Sequence, residues 1–280
     1  MILKTKTILK KSAKILVTGG SGFIGKNLIK KLNELDYNDI TSISRSLSKN
    51  NIVFDLTHDL SSNDILSKQS YELIIHLAGF KFVDRSEIEI LESIRNNIIA
   101  SNNLFKYSTN SNVEKLLVIS SDKATNIKSV YGATKFLVEK LSNYYNKNSK
   151  TTFINLRLPN ILFSPGSITS KWKTSIINNQ EVFVTNLECS RFFIDIDTAV
   201  SLILSSTGIK NVENKLMKGV SLKVLLEAFI NIYNPNFDKD LIKIIGLKEN
   251  ENLHEFSDIL NQYSDEELFT LDEFENLIKE

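Results

Sequence analysis

Ile15-Leu16-Val17-Thr18-Gly19-Gly20-Ser21-Gly22-Phe23-Ile24-Gly25 decides the fold. An apolar run of strand length, Lys14–Val17 with its lysine at the start, passes directly into a glycine-rich turn. The turn opens a helical pattern over Gly25–Leu35 in which Leu28, Leu32 and Leu35 share one face. Glycines at 19, 22 and 25 permit a tight turn, close approach of backbone to a pyrophosphate, and close packing of helix on strand. Ser21, Phe23 and Ile24 fill the turn between them. The helix start presents N–H groups without helical partners and a partial positive charge, and both suit a phosphate.

The same rhythm repeats outward from this turn. Continuous apolar runs at Ile40–Ser44, Ile52–Phe54, Leu73–His76, Leu116–Ser120 and Phe153–Leu156 read as strands buried on both faces of a parallel sheet. Helical patterns lie between them, the longest over Glu87–Tyr107 and Val130–Tyr145. Strand and helix in alternation predict an α/β fold, a doubly wound Rossmann sheet with right-handed crossovers. After Pro159 the elements shorten, with a strand near Val182–Thr185 and helices near Asp197–Ser206 and Leu222–Ile232. We expect a dinucleotide-binding domain over 13–158, rejoined by 194–207, and a smaller substrate-binding lobe from 159–193 and 208–264. Residues 265–280 are read as an acidic helix, part of an amphipathic stretch that begins at Ser264. Leu268, Leu271, Phe274 and Leu277 recur there at helical spacing.

Composition narrows the function. The 280 residues are 42% hydrophobic and 24% charged, ordinary for a globular chain that buries about three quarters of its unfolded surface. A net charge of +1 gives no global attraction to nucleic acid or to an anionic membrane. One cysteine, Cys189, excludes an internal disulfide framework. His58, His76 and His254 lack the spacing of metal ligands, so no metal is expected. His76, in a strand, reads as a core histidine, and Trp172 and Cys189 as packing residues. No run of eighteen apolar residues is present, so no membrane span is expected. Met1–Lys14 carries Lys4, Lys6, Lys10, Lys11 and Lys14; residues 1–12 read as a basic arm, and the apolar run after Lys14 is too short for a signal core. The expected location is the cytoplasm.

Two further stretches carry chemistry. The second strand ends in Ile43-Ser44-Arg45-Ser46 without the carboxylate that would bind a ribose 2′-hydroxyl. Ser44 can donate a hydrogen bond and Arg45 can grip a 2′-phosphate, so NADP is favoured over NAD. Asp55 after the third strand can meet the adenine amine. Tyr131 and Lys135 stand four residues apart on one helical face, where a lysine charge lowers a phenol pKa and makes it a usable base. The preceding strand ends in Ser120-Ser121-Asp122-Lys123, at the sheet edge where ligands of open α/β folds bind.

On these residues the chain resembles the extended short-chain dehydrogenases/reductases. SSDKATNIKSVYGATK (Ser120–Lys135) resembles the UDP-N-acetylglucosamine 4,6-dehydratases of the polysaccharide-biosynthesis subgroup. IIHLAGFK (Ile74–Lys81), IRNNI (Ile94–Ile98), LPNILFSPGS (Leu158–Ser167) and ECSRFFIDI (Glu188–Ile196) extend the likeness. The resemblance implies that Tyr131 takes the proton of the sugar 4-hydroxyl while hydride passes to NADP. Lys135 lowers the Tyr131 pKa and holds the nicotinamide ribose, and Ser121 binds the 4-oxygen. Lys123 then removes the C5 proton and Asp122 protonates the departing 6-hydroxyl. Configuration at C5 inverts if Lys123 works from opposite sides at different stages. Leu56, Leu77, Ala78, Gly79, Lys81 and Asn97 are implied to line the cofactor, and Lys81, Asn160, Ser167 and Arg191 the UDP-sugar. A homodimer or higher homo-oligomer through the two long helices is implied as well. Pro165 stands where such enzymes usually carry an arginine. The alternatives are a nucleotide-sugar 4-epimerase or 4-ketoreductase, which needs no Asp122-Lys123 chemistry, and a dinucleotide-sensing protein.

Overall fold

The computed structural model of the chain describes residues 9–46, 51–63, 66–209, 217–257 and 260–279. Residues 1–8 of the expected basic arm, 210–216 of the expected lobe and Glu280 lie outside the described residues. The described residues form two compact units. The first draws on Met1–Ala124, Val130–Leu158 and Ile196–Glu213. Its sheet has six strands, β1 (Ile15–Thr18), β2 (Ile40–Ser44), β3 (Asn51–Val53), β4 (Leu73–His76), β5 (Lys115–Ser121) and β6 (Thr152–Leu158). All pairs are parallel and the order is β3-β2-β1-β4-β5-β6. Strand β1 is flanked by β2 and β4, with Thr18 opposite both Ile43 and His76. The winding reverses there, which opens a crevice beyond the strand ends.

Helices of this unit are α1 (Phe23–Glu34), α2 (Val83–Ser86), α3 (Ile90–Ser93), α4 (Ala100–Asn110) and α5 (Val130–Asn148). After a stretch that holds α6 (Ile168–Ile177), α7 (Ile196–Thr207) rejoins them. The pattern read over Glu87–Tyr107 is one helix from Ile90 to Asn110, interrupted by a π-helical turn at Ile94–Ile99. The core gathers Leu16, Ile43, Ile74, Leu104, Phe105 and Leu116. Each such side chain contributes about 1.5–3 kcal/mol of burial.

The second unit draws on Thr125–Ser129, Pro159–Asp195 and Asn214–Glu280. Its three-stranded sheet orders β10 (Gly219–Ser221), β9 (Ser190–Ile194) and β7 (Asn160–Ile161), while β8 (Val182–Val184) pairs with β11 (Ile242–Ile244). Trp172, Phe193, Val220, Leu225, Phe229 and Phe274 form its core, with α6, α8 (Leu222–Tyr233) and α9 (Leu271–Lys279). The acidic helix starts at Leu271, not at residue 265. Thr270 and Glu273 form a reciprocal cap, Thr270 N donating to Glu273 Oε2 at 3.0 Å and Glu273 N to Thr270 Oγ1 at 3.3 Å. Upstream, Ser264 is buried with its hydroxyl 2.6 Å from Ser190 Oγ, and residues 264–266 form a turn. Among the described residues no helix is long and apolar enough to cross a membrane.

Candidate active site

The turn after β1 leaves no room for side chains. Gly19 has φ +73°, and a Cβ on it would lie 2.8 Å from Ala78 N. A Cβ on Gly25 would lie 2.4 Å from the Gly19 carbonyl oxygen. Helix α1 begins after Gly22 with no side-chain cap and no acidic residue in its first turn. Its N–H groups and positive end are therefore turned to whatever fills the cradle, and that donor set fits a pyrophosphate. Ser21 on the turn meets Ser46 Oγ at 3.0 Å.

Beside it, the end of β2 is polar and free of carboxylates. Asn51 Nδ2 donates to Ser44 Oγ at 2.7 Å, and Ser44 Oγ to the Ser46 carbonyl at 2.9 Å. Arg45 keeps 62% of its side chain exposed and lies 3.7 Å from Glu92. Burial works against the Asp55 carboxylate, but hydrogen bonds from Thr57 and the charges of Arg45 and His58 hold it below its ordinary range. Leu56 sends its side chain into the core, so it offers this region only backbone.

The tip of β5 gathers the second group. Ser121 Oγ donates to Asp122 Oδ1 at 2.7 Å, and the Lys123 backbone N–H donates to the same oxygen at 2.8 Å. The Lys123 ammonium is 3.4 Å from it. Asp122 is buried, whereas Lys123 keeps 24% of its side chain exposed. Tyr131 and Lys135 lie in the first turns of α5. Burial pushes the Tyr131 phenol up, the Lys123 charge pulls it down, Asp122 pushes it up again and a hydrogen bond with Ser121 pulls it down. Lys135 donates to the Ile119 carbonyl at 2.9 Å, and its burial lowers its pKa to about 8 although Glu139 opposes this. Ser121, Asp122, Lys123 and Tyr131 thus come together. The cation that acts on the phenol is Lys123, where the sequence reading expected Lys135.

The turn after β4 joins this group. A Cβ on Gly79 would lie 2.8 Å from Asn97 Oδ1 and 3.7 Å from Lys135 Nζ. Asn97, in the π-helical turn, accepts from Phe80 N at 2.7 Å and donates to Thr134 Oγ1 at 2.9 Å. Thr134 in turn donates to the Tyr131 carbonyl at 2.8 Å. Leu77 N donates to the Thr18 carbonyl, and Lys81 stands exposed with its ammonium 5.5 Å from the Phe82 ring. Thr134, Thr18 and Ile119 escaped the sequence reading because a threonine hydroxyl or a backbone carbonyl has no motif of its own.

Within the second unit the expected sugar-nucleotide residues are bonded to protein groups. Arg191 Nη1 donates to the Ser190 and Leu253 carbonyls, Nη2 donates to Glu251 at 2.7 Å, and Nε lies 3.3 Å from Glu255. Burial works against the guanidinium charge, and Glu255 and Glu251 hold its pKa above the usual value. Asn160 Nδ2 donates to Glu255 Oε2 at 2.8 Å, so Asn160 and Arg191 share one carboxylate. Ser167 caps α6, accepting from Ser170 N at 3.2 Å. Glu251 and Glu255 were not singled out from sequence, where they are two among many surface-type acids.

Comparison with known proteins agrees with this geometry. The family model described as polysaccharide biosynthesis protein matches residues 15–273. A protein of Methanocaldococcus jannaschii named only as an uncharacterized membrane protein is 33% identical, covering 95% of this chain and 85% of its own. A UDP-N-acetylglucosamine 4,6-dehydratase (inverting) of Campylobacter jejuni is 31% identical, covering 86% of this chain and 76% of its own. Among solved structures, Pen from Bacillus thuringiensis superposes with a TM-score of 0.83 at 25% identity, covering 97% of this chain and 98% of that one. The Rossmann sheet with its glycine cradle, the tyrosine-lysine helix and these matches lead to one conclusion: the chain belongs to the polysaccharide biosynthesis protein family of extended short-chain dehydrogenases/reductases, enzymes that modify nucleotide sugars.

Proposed function

We propose that the protein is an NADP-dependent 4,6-dehydratase acting on UDP-N-acetylglucosamine. The observation that carries the proposal is the Asp122-Lys123 pair, bonded to Ser121 at the tip of β5 and acting electrically on Tyr131. An oxidoreductase of this fold needs one proton-transfer group at the 4-hydroxyl, and elimination of water needs two more. Bound NADP would supply the hydride acceptor at C4 and the hydride donor at C6. The residues of the cradle, Gly19, Gly22 and Gly25, would hold its pyrophosphate, and Arg45 with Ser44 its 2′-phosphate.

Tyr131 takes the proton of the 4-hydroxyl, and Ser121 holds the oxygen as it becomes a carbonyl. Lys123, with its partly exposed side chain, takes the C5 proton that the ketone has made acidic. Asp122 delivers a proton to the departing 6-hydroxyl, so that one water leaves, and Lys123 gives a proton back to C5 when hydride adds at C6, which balances the charge. Lys135, anchored on Ile119, orients the nicotinamide ribose. The exposed apolar side chains of Ile88, Ile90, Leu91, Leu137 and Tyr144 support a homodimer formed through the helices around α3 and α5.

Incubation of the purified protein with UDP-N-acetylglucosamine and NADP, followed by mass spectrometry, tests the reading. Loss of one water is expected. A mass-neutral product would replace it with a 4-epimerase, and sedimentation as a monomer would remove the dimer.

A further inference from the structure

A closed circuit of buried hydrogen bonds lies under the site. The Ala78 N–H donates to Thr18 Oγ1 at 3.2 Å, and Thr18 Oγ1 meets His76 Nδ1 at 2.7 Å. His76 Nε2 meets Ser101 Oγ at 2.9 Å, and Ser101 Oγ donates to the Asn97 carbonyl. The Asn97 side chain then returns to the turn, taking the Phe80 N–H and donating to the Phe80 carbonyl at 3.1 Å. Gly79 closes the circuit covalently. Thr18, His76, Asn97 and Ser101 are all buried.

Donor and acceptor roles run one way round. Ser101 spends its proton on Asn97, so its oxygen receives the Nε2–H of His76. That leaves Nδ1 as the acceptor of the Thr18 hydroxyl proton, and Thr18 oxygen as the acceptor of Ala78 N–H. Only the neutral imidazole with its proton on Nε2 satisfies every member. Burial, reinforced by the Lys135 charge, lowers the His76 pKa to about 3, which keeps the ring neutral in the working range.

The circuit spans the turn Leu77–Phe80. On one side that turn crowds the Gly19 cradle. On the other it fixes Asn97, which through Thr134 holds the backbone of Tyr131. We infer that His76 is a positioning residue: it locks the turn between the dinucleotide cradle and the tyrosine helix, and so sets the place of Tyr131 and Lys135 relative to the nicotinamide. The inference rests on the reading of this cleft as a dinucleotide and nucleotide-sugar site.

The test uses the full chain with NADP. His76→Phe keeps a ring of similar size against Phe105 and removes both nitrogens; His76→Gln keeps a donor and an acceptor at its tip. Calorimetry gives NADP affinity without substrate, and stopped-flow absorbance gives the rate of nicotinamide reduction on adding UDP-N-acetylglucosamine. For His76→Phe we expect NADP affinity to fall about ten-fold and the reduction rate about 10–100-fold, with KM for the sugar nucleotide within about three-fold. His76→Gln recovers the larger part of both losses. If Phe and Gln variants behave alike, with NADP affinity and rate per folded molecule as in the wild type, His76 is a packing residue and the inference is overturned. If His76→Phe fails to fold, Ser101→Ala replaces it, with a smaller loss in the same direction expected and no loss overturning the inference. A wild type that binds NADP but leaves UDP-N-acetylglucosamine untouched removes the substrate assignment, while the NADP affinities still decide the role of His76.

Discussion

Two clusters in this molecule set a cation among carboxylates, and they differ in what the cation has left to do. In the second unit Arg191 is buried, with two backbone carbonyls on Nη1 and a glutamate on each of Nη2 and Nε. At the tip of β5, Lys123 meets Asp122 at 3.4 Å and keeps a quarter of its side chain exposed, beside a half-buried tyrosine whose protonation it influences. A guanidinium whose fork is filled by protein acceptors fixes loops. An ammonium at the mouth of a strand edge, next to a titratable hydroxyl, can move protons. Charge and burial alone do not separate the two cases; the partners do.

The comparison breaks first, and by the largest margin, at Lys123. Lys123→Ala is expected to lower water loss from UDP-N-acetylglucosamine by about 10²–10⁴-fold. NADP binding and folding should be retained. The Lys123 charge lowers the Tyr131 pKa, so its removal leaves the phenol protonated to higher pH. The rate of C4 oxidation is expected to rise with pH as the phenol deprotonates, and in Lys123→Ala that rise is expected at higher pH. Stopped-flow oxidation across pH reads this directly, and an unshifted profile would show that Lys123 does not face the phenol.

Arg191→Met probes the other cluster. It removes the charge that balances Glu251 and Glu255, and breaking a buried pair costs about 3–5 kcal/mol. The expected outcome is a lower denaturant midpoint with unchanged slope, where Lys123→Ala shows less than about 1 kcal/mol. An unchanged midpoint together with lost UDP affinity would return Arg191 to the diphosphate role that its sequence context implies.

Much of this was legible in the sequence, and the reasons are physical. Strands buried on both faces must be continuous apolar runs, so β1, β4 and β5 announce themselves. The Gly19–Gly25 turn is legible because only glycine fits where a Cβ would meet backbone. Tyr131, Lys135, Asp122 and Lys123 stand out because their order along the chain places them at one strand edge. The circuit through Thr18, His76 and Ser101 was hidden, since its members are single polar residues far apart in sequence; the parallel register of β1 and β4 pairs the first two, and α4 brings Ser101 to the histidine. The π-helical turn was hidden too, because one extra residue in a helix leaves the apolar pattern nearly intact. The start of α9 was misplaced by six residues although Thr270-Leu271-Asp272-Glu273 carries a capping box, because apolar spacing was followed past it.

A smaller effect sharpens the contrast at the cofactor end. Arg45 is mostly exposed and its contact with Glu92 is long, so its ion pair adds little to stability. A bound 2′-phosphate would take charge-assisted bonds from it. Arg45→Ala is expected to weaken NADP binding about ten-fold, leave NAD binding within about two-fold and leave the melting temperature unchanged. Equal losses for the two dinucleotides would remove Arg45 from the phosphate site.

The smallest expected effect compares two helix starts. Glu87 Oε1 accepts from Val130 N at 2.9 Å and so caps α5, one residue before Tyr131. Thr270 caps α9 in the second unit, far along the chain from any residue assigned to the chemistry. Removing either cap costs about 1 kcal/mol, a shift of about 2–4 °C in melting temperature for a chain of this size. The consequences for turnover differ. In Glu87→Ala the first turn of α5 frays, and Tyr131 with it, so the rate of C4 oxidation falls about three-fold or more beyond what the lost stability explains. In Thr270→Ala the rate per folded molecule is unchanged. Equal rates in the two variants, at equal stability, would mean that Thr134 and Asn97 hold Tyr131 in place without help from the cap.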